Sequence, residues 1–417
     1  MNVSAHPPQS AESPFSRADH PRLAFARMAA KLAVADCCTL PADQAAGLIS
    51  AQPVVADRPS PPFDASAVDG YAVCRAALKR AGGTLPISGC SSGMGQPPPV
   101  FSSDHAVAVA TGGAVPAGAD AVIPVENVCV SADAITLRPE AAIPESGGNI
   151  RGKGENARTG DTIVPAGRVL LPPATAALAA FGHTRITVHR PLNITLIVTG
   201  DELSSTNVAA VSPWRIRDSN GPALTAAIQA VKWLKLLRSG RVADNPHTLL
   251  SALTTALADS RCVILTGGVS VGTRDFTRQA VEAAGGIVQF HRLPIKPGRP
   301  VMGAVGPQGQ CLLGLPGNPA SAQILFRALV LPMLAVQAGG GNSPAADAMV
   351  HLSTPAESLK SMYWFRPVRR LTPDRVQLIP GRGSGDIPMM ADSDGFVEIA
   401  PEAAGTGPYP FYSWSAV

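Results

Sequence analysis

The residue types best suited to chemistry sit in short strings that each follow an apolar run. VTGDEL (198–203) closes the run NITLIV with Asp201 and Glu202, tandem carboxylates that suit a divalent cation or a general base. TGGVSVGTRDF (266–276) follows CVIL and precedes a helical pattern. There Gly267 and Gly268 let backbone approach a phosphate, a helix N-terminus offers free N–H donors, Ser270 adds a hydroxyl, and Asp275 adds a carboxylate suited to a metal. A tight strand-to-helix turn with an exposed Asp is the plainer reading of the same string. LPIKPGRPV (293–301) puts Lys296 and Arg299 three residues apart on a proline-locked loop, and two cations held rigidly suit an oxyanion. GLPGNPASA (314–322) opens another helix after QCLLGL, where Asn318 and Ser321 could cap the helix or line an anion cradle. In VADNP (242–246) Asp244 precedes a Pro-started helix, the place of a cap. SPPFDASAVDGYAV (60–73) and VATGGAVP (109–116) read as strand and turn, and spacing alone gives them no chemistry.

Several chemistries are excluded by what is missing. GxxxxGK[ST], HExxH and GxSxG do not occur, which disfavours P-loop, zinc-hydrolase and serine-hydrolase mechanisms. The seven Cys form no CxxC pair and no zinc-like spacing, and read as plain thiols in a reducing compartment. With 34 basic against 30 acidic residues and no long like-charge run, a nucleic-acid-binding tract is not expected. The polar, Pro/Ser-rich start lacks an apolar h-region, and the apolar stretch near 324–336 is interrupted by Arg327 and Pro332. These features predict a soluble cytoplasmic protein with no membrane role.

The elements that must position these strings follow from pattern. At 417 residues the chain is too long for one core, and roughly two to four domains are expected. Apolar spacing from His20 to Ser50 predicts two helices, LAFARMAAKLAV and DQAAGLISA. Short alternating runs punctuated by Gly and Pro predict an inserted β-rich domain at 57–146. It is flanked by an elongated helical and mixed segment, 20–56 plus 147–189. From 190 to 338 strand and helix patterns alternate, which predicts a doubly wound, parallel α/β domain. Residues 345–417 return to short strands and predict a small β-barrel-like domain.

Taken in order, PPFDASAVDGYAV, GGNIRGKGEN, TGDEL, DSN, TGGVSVGTRDF, IKPGRP and GLPGNP resemble the molybdopterin molybdenumtransferase family, relatives of the gephyrin C-terminal domain, over about residues 20–417. The resemblance implies the last step of molybdenum cofactor synthesis. In that step adenylylated molybdopterin and molybdate give cofactor and AMP with the help of Mg²⁺ or another divalent cation. It implies a four-part subunit and a homodimer in which the α/β domain faces the partner's inserted domain. Contacts with molybdopterin adenylyltransferase and with recipient molybdoenzymes also follow from it.

Residue by residue, the resemblance makes Asp275, Asp244 and Glu202 the acids at the metal and the pyrophosphate bond. Lys296 joins them in catalysis, and Asp69 reaches the partner's site with Thr111. Asp218, Gly267, Gly268, Ser270, Pro316, Gly317, Asn318 and Pro319 become the substrate cradle. Lys296, Arg299, Arg366 and Ser384 become the molybdate pocket. The chain departs from the pattern at Asn156 and Asn245, each in place of an acid, and at Arg292 and Arg299, each in place of Lys. Those changes motivate the alternative: a catalytically altered paralogue that carries molybdopterin or cofactor, or serves as a scaffold.

Overall fold

The computed structural model describes residues 20–91, 95, 97–204, 211–268, 276–341 and 346–415. The chain divides into two compact units. One is drawn from Met1–Gln52, Ala166–Thr175 and Arg185–Val417, the other from Pro53–Pro165 and Ala176–Thr184.

The first unit contains a six-stranded sheet in the order Leu234–Val242, Leu192–Thr199, Cys262–Thr266, Cys311–Leu315, Met302–Val305, Ile287–His291. The first four strands are parallel and the last two pair antiparallel. Strand alternation splits the core in two, because successive side chains face opposite sides of a sheet. Ile194, Leu196, Ile264 and Leu313 pack with Leu224 and Ile228 of helix Asn220–Gln229. Ile197, Val263, Leu265 and Leu312 pack instead with Leu249 and Leu253 of helix Pro246–Leu257. Both faces are thus covered, as the near-continuous apolar runs require. The expected doubly wound domain is present, with an antiparallel edge that its apolar pattern did not announce.

A second sheet closes on itself. Tyr363–Thr372 pairs with Arg375–Leu378 on one side and Gly395–Ile399 on the other, and Ala348–Leu352 and Tyr409–Ser413 complete the ring. Val350, Val368, Val376 and Val397 fill it. The two-residue strand Ile295–Lys296 adds in parallel to the start of Tyr363–Thr372, which carries the IKPGRP loop to the barrel. Partly buried ion pairs tie the same parts together. Arg327 donates to both carboxylate oxygens of Asp347 (2.6 and 2.7 Å) and to the Ser413 carbonyl. Buried Glu398 accepts from Arg22 (2.9 Å) and from the Tyr412 hydroxyl.

Two sequence expectations are corrected here. DQAAGLISA (43–51) is not an α-helix: a single 3-10 turn at Ala42–Gln44 opens it, and Ile49 and Ser50 make isolated antiparallel bridges to Val169 and Val188. Those partners lie more than a hundred residues further along the chain, so local spacing of Ala and Leu misreads the string. The interrupted stretch near 324–336 belongs to one helical run, Pro319–Gln337, long and apolar enough to cross a membrane. That run is mostly buried inside the protein, with a π turn at Phe326–Val330 next to Pro332. Proline lacks the N–H that the preceding turn needs, and the wider turn absorbs the missing bond.

The second unit is built on a six-stranded sheet in the order Ala121–Pro124, Gly70–Val73, Ala106–Val109, Thr84–Ser91, Ala134–Leu137, Val128–Val130. Ile150–Arg151 pairs with Ala65–Ser66, and the Lys153 N–H donates to Asp64 (2.8 Å). The GGNIRGKGEN string is thereby laid along PPFDASAV.

Candidate functional site

Three parallel strands end side by side at Thr199, Thr266 and Leu315, and their connections wall a cleft of about 930 Å³. The carboxyl edge of an open α/β sheet is where ligands enter. Glu202, Asp218, Gly267, Gly268, Pro316, Gly317, Asn318 and Pro319 all line this cleft. Gly267 has φ 96°, its N–H donates to the Leu315 carbonyl (3.2 Å), and a Cβ there would lie 2.1 Å from the Thr199 carbonyl oxygen. Only glycine allows that approach of backbone to backbone. Asp218 accepts from the Gly221 N–H (2.9 Å), tying down the first turn of helix Asn220–Gln229. Ser270 and Asp275 lie outside the described residues.

The strand ends are tied by a residue that the sequence reading did not single out. Buried Asn220 donates to Thr266 Oγ1 (2.9 Å) and to the Gly317 carbonyl (2.8 Å), while Thr266 Oγ1 donates to the Pro316 carbonyl (3.2 Å). Asn220 Oδ1 is buried with no partner among the described residues, an acceptor left over beside the cleft. Arg215 and Arg217 add positive charge to the lining, and Arg215 and Arg241 both donate to the Leu203 carbonyl next to Glu202. The arginines lie two apart in RIR just before DSN, the one signal that could have marked them.

Asp244 stands behind the Gly267–Gly268 turn. Its Oδ1 accepts from Thr199 Oγ1 (3.1 Å), its N–H donates to Asp201 (3.3 Å), and a Cβ on Gly268 would come within 3.3 Å of it. The helix cap expected of Asp244 is made by its neighbour instead. Asn245 accepts from the Thr248 N–H (2.9 Å) and hydroxyl (2.8 Å) at the start of helix Pro246–Leu257. Asn245 therefore has a structural use that needs no charge, and Asp244 faces the turn.

A second cavity of about 570 Å³ adjoins the cleft and shares Pro300, Pro316 and Asn318 with it as wall residues. Lys296, Arg299, Arg366 and Ser384 all line it, so one pocket gathers the four residues from the IKPGRP loop and the barrel. The loop folds back through a bond from the Leu293 N–H to the Arg299 carbonyl (3.1 Å) and through Gly298 at φ 106°, where a Cβ would strike Leu325 at 2.7 Å. Ser384 is held because its carbonyl accepts the Ala320 N–H (3.1 Å) at the start of helix Pro319–Leu325. Asp386 fixes the same loop by accepting from the Arg382 and Met389 N–H groups (both 3.0 Å), which hold its carboxyl below the ordinary value.

Burial pushes the Arg366 guanidinium down from its ordinary value, and Glu357 opposes the shift. No carboxylate lies within salt-bridge distance of Lys296, Arg299 or Arg366 among the described residues. Cations gathered in a partly enclosed space with no carboxylate in direct contact suit an anionic ligand. Asn318 precedes helix Pro319–Leu325 but makes no capping bond with its side chain, which lines both cavities.

In the second unit the structure brings together Asp69 and Thr111. The Thr111 N–H (2.6 Å) and hydroxyl (2.9 Å) both donate to Asp69 Oδ1, and these bonds hold the exposed carboxyl below its ordinary value. Asn156 enters its loop through its backbone N–H, which donates to the Ser60 carbonyl (2.9 Å).

A Gly-rich cleft at the end of an α/β sheet, sharing walls with a cationic pocket at a β barrel, is a site suited to an anionic ligand. Residues 21–182 match the MoeA N-terminal region (domain I and II), and residues 195–336 match a probable molybdopterin binding domain. The chain is 34% identical over 293 residues to a molybdopterin molybdenumtransferase of Haemophilus influenzae, covering 70% of each chain. It is 30% identical over 341 residues to one of Synechococcus elongatus, covering 80% of this chain and 83% of that protein. A crystal structure of the molybdopterin biosynthesis moeA protein from Pyrococcus horikoshii superposes with a TM-score of 0.77 at 24% identity, over 94% of this chain and 98% of that one. The chain belongs to the MoeA family, the molybdopterin molybdenumtransferases of molybdenum cofactor biosynthesis.

Proposed function

We propose that this protein inserts molybdate into adenylylated molybdopterin and releases AMP, yielding molybdenum cofactor. The observation that carries this reading is that two cavities share wall residues, one shaped by glycine and proline turns with Glu202, Asp218, Arg215 and Arg217 in its lining, the other lined by Lys296, Arg299 and Arg366. Molybdate is a tetrahedral dianion. Lys296, Arg299 and Arg366 supply positive N–H donors, and Ser384 supplies a hydroxyl. The glycine and proline turns of the cleft accept the pterin and its pyrophosphate, with Asp218, Gly267, Gly268, Pro316, Gly317, Asn318 and Pro319 as its walls. Ser270 belongs with them by motif. The family's dithiolene comes from the substrate, so no Cys or His cluster is required.

A divalent cation fits this donor set in part. Asp244 and Glu202 offer carboxylate oxygens only, the choice of a hard cation such as Mg²⁺, and Asp275 is the third acid by motif. Among the described residues no three such side chains converge. Mg²⁺ commonly takes one or two carboxylates and completes its shell with phosphate and water, which matches what the cleft offers. When bound, the ion screens the pyrophosphate and stabilises the leaving AMP oxygen. Thr199 and the Asp201 carboxylate keep Asp244 turned toward the glycine turn.

The enzyme works as a cytoplasmic homodimer in which Asp69, fixed by Thr111, serves the partner's site. It receives substrate from molybdopterin adenylyltransferase and passes product to molybdoenzymes. The test is AMP release by the purified protein given adenylylated molybdopterin, Mg²⁺ and molybdate. Molybdate-dependent AMP, lost in Asp244→Asn, with product that reconstitutes an apo-molybdoenzyme, is the expected result. Tight pterin binding without AMP release would favour the carrier or scaffold reading instead.

A further inference from the structure

Trp364 lies in none of the strings that carry the family resemblance, yet it lines the cationic pocket with two of its cations on its ring. Lys296 Nζ is 5.0 Å and Arg366 Cζ 4.2 Å from the ring centroid. Strand register explains the grouping. Lys296 stands beside Trp364 across the parallel pair, and Arg366 is two residues further along the same strand, so all three side chains leave one face of the sheet. Val368 continues that face into the barrel core, and Trp364 packs against the same core. The ring is thus anchored from below while it carries charge at the pocket.

Two cations at one ring repel each other, and Glu357 acts on Arg366 only from beyond salt-bridge distance. A carboxylate in direct contact would offset that repulsion by occupying their N–H donors and by repelling an incoming anion. An aromatic face attracts both cations through its quadrupole and leaves the N–H groups unspent.

We infer that Trp364 is a positioning residue of the oxyanion pocket, holding Lys296 and Arg366 at the spacing that admits and selects a tetrahedral dianion. This rests on reading the pocket as the molybdate site. The test measures dissociation constants for molybdate and for sulfate on the full chain without pterin. The proteins compared are wild type, Trp364→Phe, Trp364→Leu and the double variant Lys296→Ala/Arg366→Ala.

Loss of the ring in Trp364→Leu raises the molybdate constant about tenfold, while Trp364→Phe, which keeps an aromatic face, stays within about threefold. Preference for molybdate over sulfate falls in the Leu variant, while its affinity for adenylylated molybdopterin is unchanged. Wild-type molybdate affinity in Trp364→Leu, or equal losses in the Phe and Leu variants, overturns the inference. Unchanged molybdate binding in the double variant overturns the pocket reading itself and this inference with it. Loss in the double variant alone leaves the pocket standing and removes only the role of Trp364.

Discussion

The two adjoining cavities of the first unit are built by opposite means. The cleft at the strand ends owes its shape to main chain: glycine at 267 lets one strand end touch another, prolines stiffen the walls, and Asn220 ties three connections through buried hydrogen bonds. The pocket at the barrel owes its character to side chains: Lys296, Arg299 and Arg366 converge from two elements with no carboxylate paired to them among the described residues. A backbone-made cradle is hard to alter without harm to the fold, whereas a side-chain-made pocket can lose its charges and keep its shape. Folding and chemistry are therefore coupled in the first and separable in the second.

The sharpest way to break that contrast is substitution of its two close-packed glycines. Gly267→Ala forces a Cβ into the Thr199 carbonyl at positive φ and costs about 3 kcal/mol of stability. Gly298→Ala meets the flexible end of Leu325 instead and costs about 2 kcal/mol. Denaturant titrations of the two variants give both figures, and a larger loss at Gly298 would reverse the ranking. Next comes the cap beside the cleft. Asn245→Ala removes the acceptor of the Thr248 N–H and costs about 1 kcal/mol, whereas Asn245→Asp, which can cap as well, leaves stability within about 0.5 kcal/mol. Equal losses in both would show that the amide group itself is required.

The smallest effect belongs to the second unit. Both bonds from Thr111 favour the ionised form of Asp69, so its folded pKa is depressed below the ordinary value of 3.8. The stability they contribute is present above that ordinary value and fades as pH falls through the folded pKa. Thr111→Val removes the hydroxyl bond and keeps the main-chain one. The carboxyl titration of Asp69, followed by NMR, then moves upward; a midpoint that stays put would deny the hydroxyl its part.

Much of this was legible in the residue order, because the chemistry-bearing strings follow apolar runs and such runs become parallel strands whose ends meet. The grouping of Lys296 and Arg299 with Arg366 and Ser384 comes from the family resemblance rather than from spacing, and the four line one pocket although about ninety residues of chain separate the first from the last. What stayed hidden depended on pairing across long separations. The strand Cys37–Pro41 takes its identity from Arg185–His189, and Trp364 gains its role only when Ile295–Lys296 adds to the barrel. The cap passed from Asp244 to Asn245 for a local reason: in an Asp-Asn-Pro sequence either side chain can cap, and Pro246 at the first helical turn makes the residue before it the N-cap. Ser270 and Asp275 lie outside the described residues, and their roles rest on the motif alone.

The separation of the two cavities is tested most directly by calorimetric titration of both ligands into both kinds of variant. Lys296→Ala should bind molybdate at least about tenfold more weakly, as loss of a charged donor to an oxyanion requires, and bind adenylylated molybdopterin like the wild type. Gly267→Ala, examined well below its melting temperature, should lose the pterin and keep molybdate. Loss of both ligands together in either variant would contradict the account, since it would mean that the cradle and the cationic pocket are one site.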